Sequence, residues 1–125
     1  MKKLLSAAAA LALLAGTGLA FGDDMYPNGC VDCHVEADGN DMRISTLLDN
    51  VGHMGVEDLE TIPTDCKDCH SEDGGFGELY TFIHSAHYGG ADNQFVTDHE
   101  GKCTHCHALN PESGEVSTKS GPKNW

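Results

Sequence analysis

The 125-residue chain has little from which to build an ordinary hydrophobic core: aromatic residues make up 6% of it, with a single tryptophan. It has no cysteine outside three short motifs, so no sulfur is left over for a separate structural disulfide. After its N-terminal apolar run it has no second one, which excludes an internal membrane span of roughly twenty apolar residues. Basic side chains are scarce, 7 against 20 acidic, and that balance excludes nucleic acid as a partner. Strand-like alternation is weak throughout, so the reading is of short helices and loops with little or no sheet.

What is present begins with a leader. Lys2 and Lys3 are followed by an Ala- and Leu-rich run over 4–14 and by the small residues Gly16, Thr17, Gly18 and Ala20, the pattern of a secretory signal peptide over 1–22. Cleavage after Ala20 or after Gly22 fits that pattern. No cysteine lies near either position, which argues against a lipoprotein. The chain is therefore expected to be exported, to the periplasm or beyond it. Two of the seven basic residues lie in the leader, so five would face twenty acidic side chains in the mature chain. Such a field suits basic patches on partner proteins, metal ions or mineral surfaces, and equally serves plain solubility. About a hundred residues remain, enough for one domain with a marginal core of its own.

All six cysteines fall in three copies of one pattern: Cys30-Val31-Asp32-Cys33-His34, Cys66-Lys67-Asp68-Cys69-His70 and Cys103-Thr104-His105-Cys106-His107. Two cysteines three apart share one helical turn, where both thiols can reach the two vinyl groups of one porphyrin, and the histidine that follows can meet the iron. Zinc sites and redox dithiols also use Cys-x-x-Cys, but neither needs a histidine directly after the second cysteine. A disulfide framework would not force three pairs into one spacing. The pattern is read as three covalently bound haem c groups, with His34, His70 and His107 as proximal ligands. The haems would fill the core that the side chains cannot.

Between the motifs the chain offers two helical stretches. Over 42–51 the apolar positions Met42, Leu47, Leu48 and Val51 fit one face moderately well, and Gly52 ends the run. Over 78–88, Leu79, Phe82, Ile83 and Ala86 form the best apolar stripe, ended by Gly89 and Gly90. The motifs begin at residues 30, 66 and 103, a rough repeat in spacing without similarity in the segments between. The trihaem domain is placed at 23–109, and 110–125, rich in Ser, Gly, Pro and Lys, is expected to be a mobile polar tail.

Five histidines lie outside the proximal positions: His53, His84, His87, His99 and His105. Surplus histidine in so small a domain favours bis-histidine iron. His84 and His87 lie on the 78–88 helix about 60° apart around its axis and about 4.5 Å apart along it, so each could serve one of two neighbouring haems. His53, among glycine and apolar residues, takes the third place narrowly over His99. His105, inside its own motif, ranks last. Met25, Met42 and Met54 leave a His/Met iron open as another choice.

With these residues in view, the chain resembles the small multihaem c-type cytochromes of anaerobic metal- or sulfur-respiring bacteria. His84-Ser85-Ala86-His87 ahead of Cys103, and His99-Glu100-Gly101 just before it, are similar to the periplasmic small tetrahaem cytochromes. The haem number resembles the trihaem c7 type. Departures are three sites instead of four, no histidine before Cys30, and no Cys-His-His doublets. The resemblance implies a mostly α fold with extensive loops and a protein that carries electrons between membrane donors and periplasmic or extracellular acceptors, and is not an enzyme. Two other readings stand beside it: a haem enzyme with one open iron that reduces a small oxyanion or peroxide, and the self-associating subunit of an extracellular cytochrome filament.

Overall fold

Each Cys-x-x-Cys-His motif closes a single helical turn, and the rest of the chain is arranged around those three turns. In the computed structural model, which describes residues 23–125, the first motif is the helix α1 (Cys30–Cys33), and the amide of His34 returns to the carbonyl of Cys30 at 2.8 Å. The second and third occupy 3-10 turns, Asp65–Asp68 and Cys103–His105. The leader expected over 1–22 lies outside the described residues.

Between the first two motifs a hairpin of β1 (Glu36–Ala37) and β2 (Asn40–Asp41) turns the chain into α2 (Ile44–Asn50). Asp41 starts this helix. Its carboxylate accepts from the amide of Arg43, the residue that precedes the helix, at 3.1 Å, from Arg43 Nε at 2.8 Å and from Thr46 Oγ1 of the first turn at 2.7 Å. The hydrogen bond from Arg43 holds the Asp41 carboxyl well below the usual carboxylate range. The stripe over 78–88 becomes α3 (Leu79–Tyr88), followed by the short α4 (Gln94–Thr97). Asn93 splices the two together. Its Nδ2 donates to the Ala86 carbonyl of α3 at 2.7 Å, while its Oδ1 accepts from the Phe95 amide of α4 at 3.0 Å.

The segment 110–125 is not a mobile tail. Strand β4 (His107–Leu109) pairs with β5 (Val116–Thr118), and β6 (Gly121–Pro122) crosses the molecule to pair with β3 (Thr61–Ile62). Side chains complete the strap. Lys119 is 6% exposed at its side chain, and its ammonium donates to Asp24 at 2.8 Å and to the carbonyls of Tyr26 at 3.0 Å and Thr104 at 2.6 Å. Asn124 Nδ2 donates to the carbonyls of Val31 and His34, and Ser120 meets Thr64 and Ile62. Polarity in this segment is spent on specific partners, which composition alone does not reveal. Sheet is confined to these three two-stranded ladders among the described residues.

The protein core is minute. Val31, Ile62 and Pro63 are the buried apolar side chains among the described residues, and Gly121 of the strap packs on Val31 and pairs with Ile62. Gly121 permits that contact: a methyl group there would lie 2.5 Å from Asn28 Cβ and 2.7 Å from Val31 Cγ2. By contrast Met54 is 86% exposed, Phe76 69% and Phe82 51%. So much uncovered apolar surface in a chain this size leaves the hydrophobic driving force largely unused by protein–protein packing. No helix among the described residues is long and apolar enough to cross a membrane.

Loss of the strap should be measurable. Lys119→Ala removes charge-assisted hydrogen bonds to two backbone carbonyls and is expected to cost on the order of 2 kcal/mol in denaturant unfolding, with faster proteolysis within 110–125. Gly121→Ala should loosen the same region by overlap. Acid should do so reversibly. The Lys119 hydrogen bond lowers the Asp24 pKa, and the Thr61 hydroxyl and the Thr61 and Glu60 amides lower that of Asp65. Carboxylates lowered on folding contribute stability that is present above their unfolded pKa, about 4, and lost as pH falls below it. Emission of Trp125, the sole tryptophan, is expected to change over that acid range and to stay constant from pH 5 to pH 8.

Candidate cofactor site

The eight histidines fall into a definite pattern once the chain is folded. Each motif histidine faces one histidine from outside its motif: His34 faces His87 with ring centroids 5.9 Å apart, His70 faces His53 at 5.8 Å, and His107 faces His84 at 6.1 Å. Two imidazoles bound trans to one metal at about 2 Å each would place their centroids about 6 Å apart and their nitrogens about 4 Å apart. The centroid separations meet that requirement three times. The Nε2 atoms of His53 and His70, 3.4 Å apart, stand somewhat closer than the trans arrangement needs.

Helix α3 supplies two of the partners. His84 and His87, one turn apart, reach two different motif histidines, as their spacing on the helix requires. His53 arrives on the turn after α2, where its amide returns to the Leu48 carbonyl at 3.0 Å. His99 faces no other histidine; its carbonyl lies 3.0 Å from His105 Nε2. The His105 ring lies edge-on to Tyr26, with centroids 4.6 Å apart, and to Phe95 at 5.9 Å. The structure thus brings His53, His84 and His87 to the motif histidines and leaves His99 and His105 in other company.

Hydrogen bonds set the tautomer of three rings. Nδ1 of His34 lies 2.9 Å from the Met42 carbonyl, Nδ1 of His70 3.2 Å from the Gly77 carbonyl, and Nδ1 of His87 2.8 Å from the Ile83 carbonyl. A carbonyl can only accept, so Nδ1 carries the proton and Nε2 keeps its lone pair, which on His70 lies 3.4 Å from Nε2 of His53. That is the form in which imidazole binds a metal, with its second nitrogen anchored to the backbone. Burial lowers the His34 pKa, which favours the same neutral form. Nδ1 of His107 is the sole buried side-chain polar atom without a hydrogen-bond partner among the described residues, so the anchor seen on the other two motif histidines is missing there.

The thiols share the space. A cavity of about 570 Å³ is lined by Cys30, Cys103 and Cys106 and by histidines from all three pairs, His70, His84, His87 and His107. Leu79, Ile83, Tyr88 and Phe95 add apolar wall. A volume in the range of about 300–1,000 Å³ with mostly apolar lining is typical of a cofactor site. All six cysteines are free. Burial raises the pKa of Cys33, Cys66 and Cys106 and pushes Cys30 up to about 11. Thiols raised in this way differ from the low-pKa cysteine of a redox dithiol. Nor do the described residues hold any group of three or more His, Cys, Asp or Glu side chains placed to bind one metal ion, as tetrahedral zinc would require.

The residues present therefore combine three facing imidazole pairs with a cavity lined by thiols and apolar side chains. Sequence reasoning did not find the surrounding parts. Lys119, Asn93 and Phe95 carry no motif, and nothing in the order of residues marks them as neighbours of the paired rings. No protein-family model matches the chain, and comparisons with curated proteins and with solved structures likewise return no match.

Proposed function

We propose that the protein is a trihaem c-type cytochrome that carries electrons between membrane donors and periplasmic or extracellular acceptors in anaerobic respiration. The observation that carries this reading is the pairing of every motif histidine with a second histidine at the separation of two ligands on one metal. Haem, when bound, supplies a one-electron iron couple. The chain supplies everything that holds and tunes it.

Each motif contributes two thiols. Addition of a thiol across a vinyl group places sulfur on one carbon and hydrogen on the other, so attachment consumes no oxidant. Cys30 and Cys33 would hold the first haem, between His34 and His87. Cys66 and Cys69 would hold the second, between His70 and His53. Cys103 and Cys106 would hold the third, between His107 and His84. Backbone carbonyls that accept from Nδ1 orient His34, His70 and His87, while Phe82, 5.5 Å from His70 between ring centroids, and Phe76 offer apolar cover beside the second pair.

Histidine on both faces leaves no coordination position for a substrate, which supports an electron carrier over an oxyanion- or peroxide-reducing enzyme. Completion of all three pairs within one chain leaves no iron in need of a ligand from a neighbour, so ligand sharing in a filament has no support in this geometry. The acidic surface suits redox partners with basic patches and also metal ions or minerals. The leader reading places the protein outside the cytoplasm.

Purified holoprotein is expected to carry the mass of three covalent haems and a low-spin spectrum indifferent to carbon monoxide. A high-spin fraction that binds carbon monoxide would instead mark an open iron. The ligand assignment has its own test: His53→Ala, His84→Ala and His87→Ala should each turn one third of the haem high-spin. His99→Ala and His105→Ala should leave the spectrum as it was.

A further inference from the structure

The three histidine pairs differ in one respect. Their ring planes meet at 33° for His53 and His70 and at 37° for His84 and His107, but at 90° for His34 and His87. The last torsion of a histidine side chain is broad, so a ring takes the orientation that its neighbours impose. Both rings of the first pair are held. His34 donates from Nδ1 to the Met42 carbonyl, and the Met42 amide is itself bound to the Val35 carbonyl at 3.1 Å. His87 donates from Nδ1 to the Ile83 carbonyl within α3.

A third contact sets the plane of His87. Phe95 meets it edge to face, with centroids 5.2 Å apart and planes at 84°. Phe95 is braced in turn by Tyr88 at 5.3 Å and by His105 at 5.9 Å, and its position on α4 is set by Asn93, which ties that helix to the end of α3. Rotation of the His87 ring would lose the edge contact to Phe95 and the hydrogen bond to Ile83 together.

Ring orientation matters to a low-spin ferric iron. An imidazole donates π density in the direction perpendicular to its plane. Nearly parallel rings raise one of the two iron d orbitals of π symmetry and split the pair, whereas crossed rings raise both alike and leave them close in energy. The splitting sets the anisotropy of the electron paramagnetic resonance signal: a rhombic spectrum for nearly parallel rings, a strongly anisotropic low-field signal for crossed rings.

We propose that the first site, formed by Cys30, Cys33, His34 and His87, holds its iron between crossed imidazoles and is electronically distinct from the other two, with Phe95 as the positioning residue that maintains the crossing. This rests on the trihaem reading above. In oxidised holoprotein, one haem of three should give the strongly anisotropic signal and two should give rhombic signals. His87→Ala should abolish the anisotropic signal and leave both rhombic ones. Phe95→Ala should convert it to a rhombic signal with all three haems still low-spin, and Phe95→Leu, which keeps apolar bulk without a ring edge, should do the same. The two rhombic signals report folding within the same sample. Three rhombic signals in the unsubstituted protein, or an anisotropic signal that survives in Phe95→Leu, would overturn the inference. Absence of covalent haem in the mass spectrum would defeat the functional reading itself, so the two failures are told apart.

Discussion

Imidazole set against imidazole, three times, is the arrangement on which the rest of this protein depends. With only Val31, Ile62 and Pro63 buried as apolar side chains among the described residues, the chain cannot be organised by an oil-drop core. It is organised around the gaps between facing rings, and its helices, turns and strap are the means of bringing those rings together. The exposed Phe76 and Phe82 lie beside the His70 ring, where under the trihaem reading they would give apolar cover.

Helix α3 is central because it reaches two gaps at once. Its histidines three residues apart face two different motifs, so the first and third sites are tied to one rigid element. The second site hangs from a different support, the turn after α2 that carries His53. The cavity lined by thiols and histidines of different motifs puts the three positions into one compartment. Under the trihaem reading this makes electron transfer between sites a consequence of ligand placement on the chain, with no moving part.

The C-terminal strap fastens distant parts of the chain to one another. Lys119 gathers the start of the domain at Asp24 and Tyr26 and the third motif at Thr104 onto one ammonium group, and β6 fastens the strap beside the second motif through β3. The buried Lys119 ammonium is well placed for this, since it donates to two backbone carbonyls and a carboxylate at once.

The chemistry of the chain was legible in its order of residues wherever a local rule applies. Three cysteine pairs three apart with a following histidine, and two helices near 44–50 and 79–88, can be read without coordinates, because a helical turn and an apolar stripe are properties of a few adjacent residues. The placement of His84 and His87 toward separate partners follows from helix geometry in the same way. Other features required the fold. Whether His53 or His99 faces His70 depends on where two loops land, and 17 positions of separation in sequence carry no angle. Residues 110–125 read as a disordered tail because they are polar and small, yet Lys119, Ser120 and Asn124 find partners some 56 to 95 positions away. The crossed rings of His34 and His87 and the edge of Phe95 that holds one of them belong to the tertiary structure alone, because a ring plane is set by neighbours on all sides and not by the residues beside it in the chain.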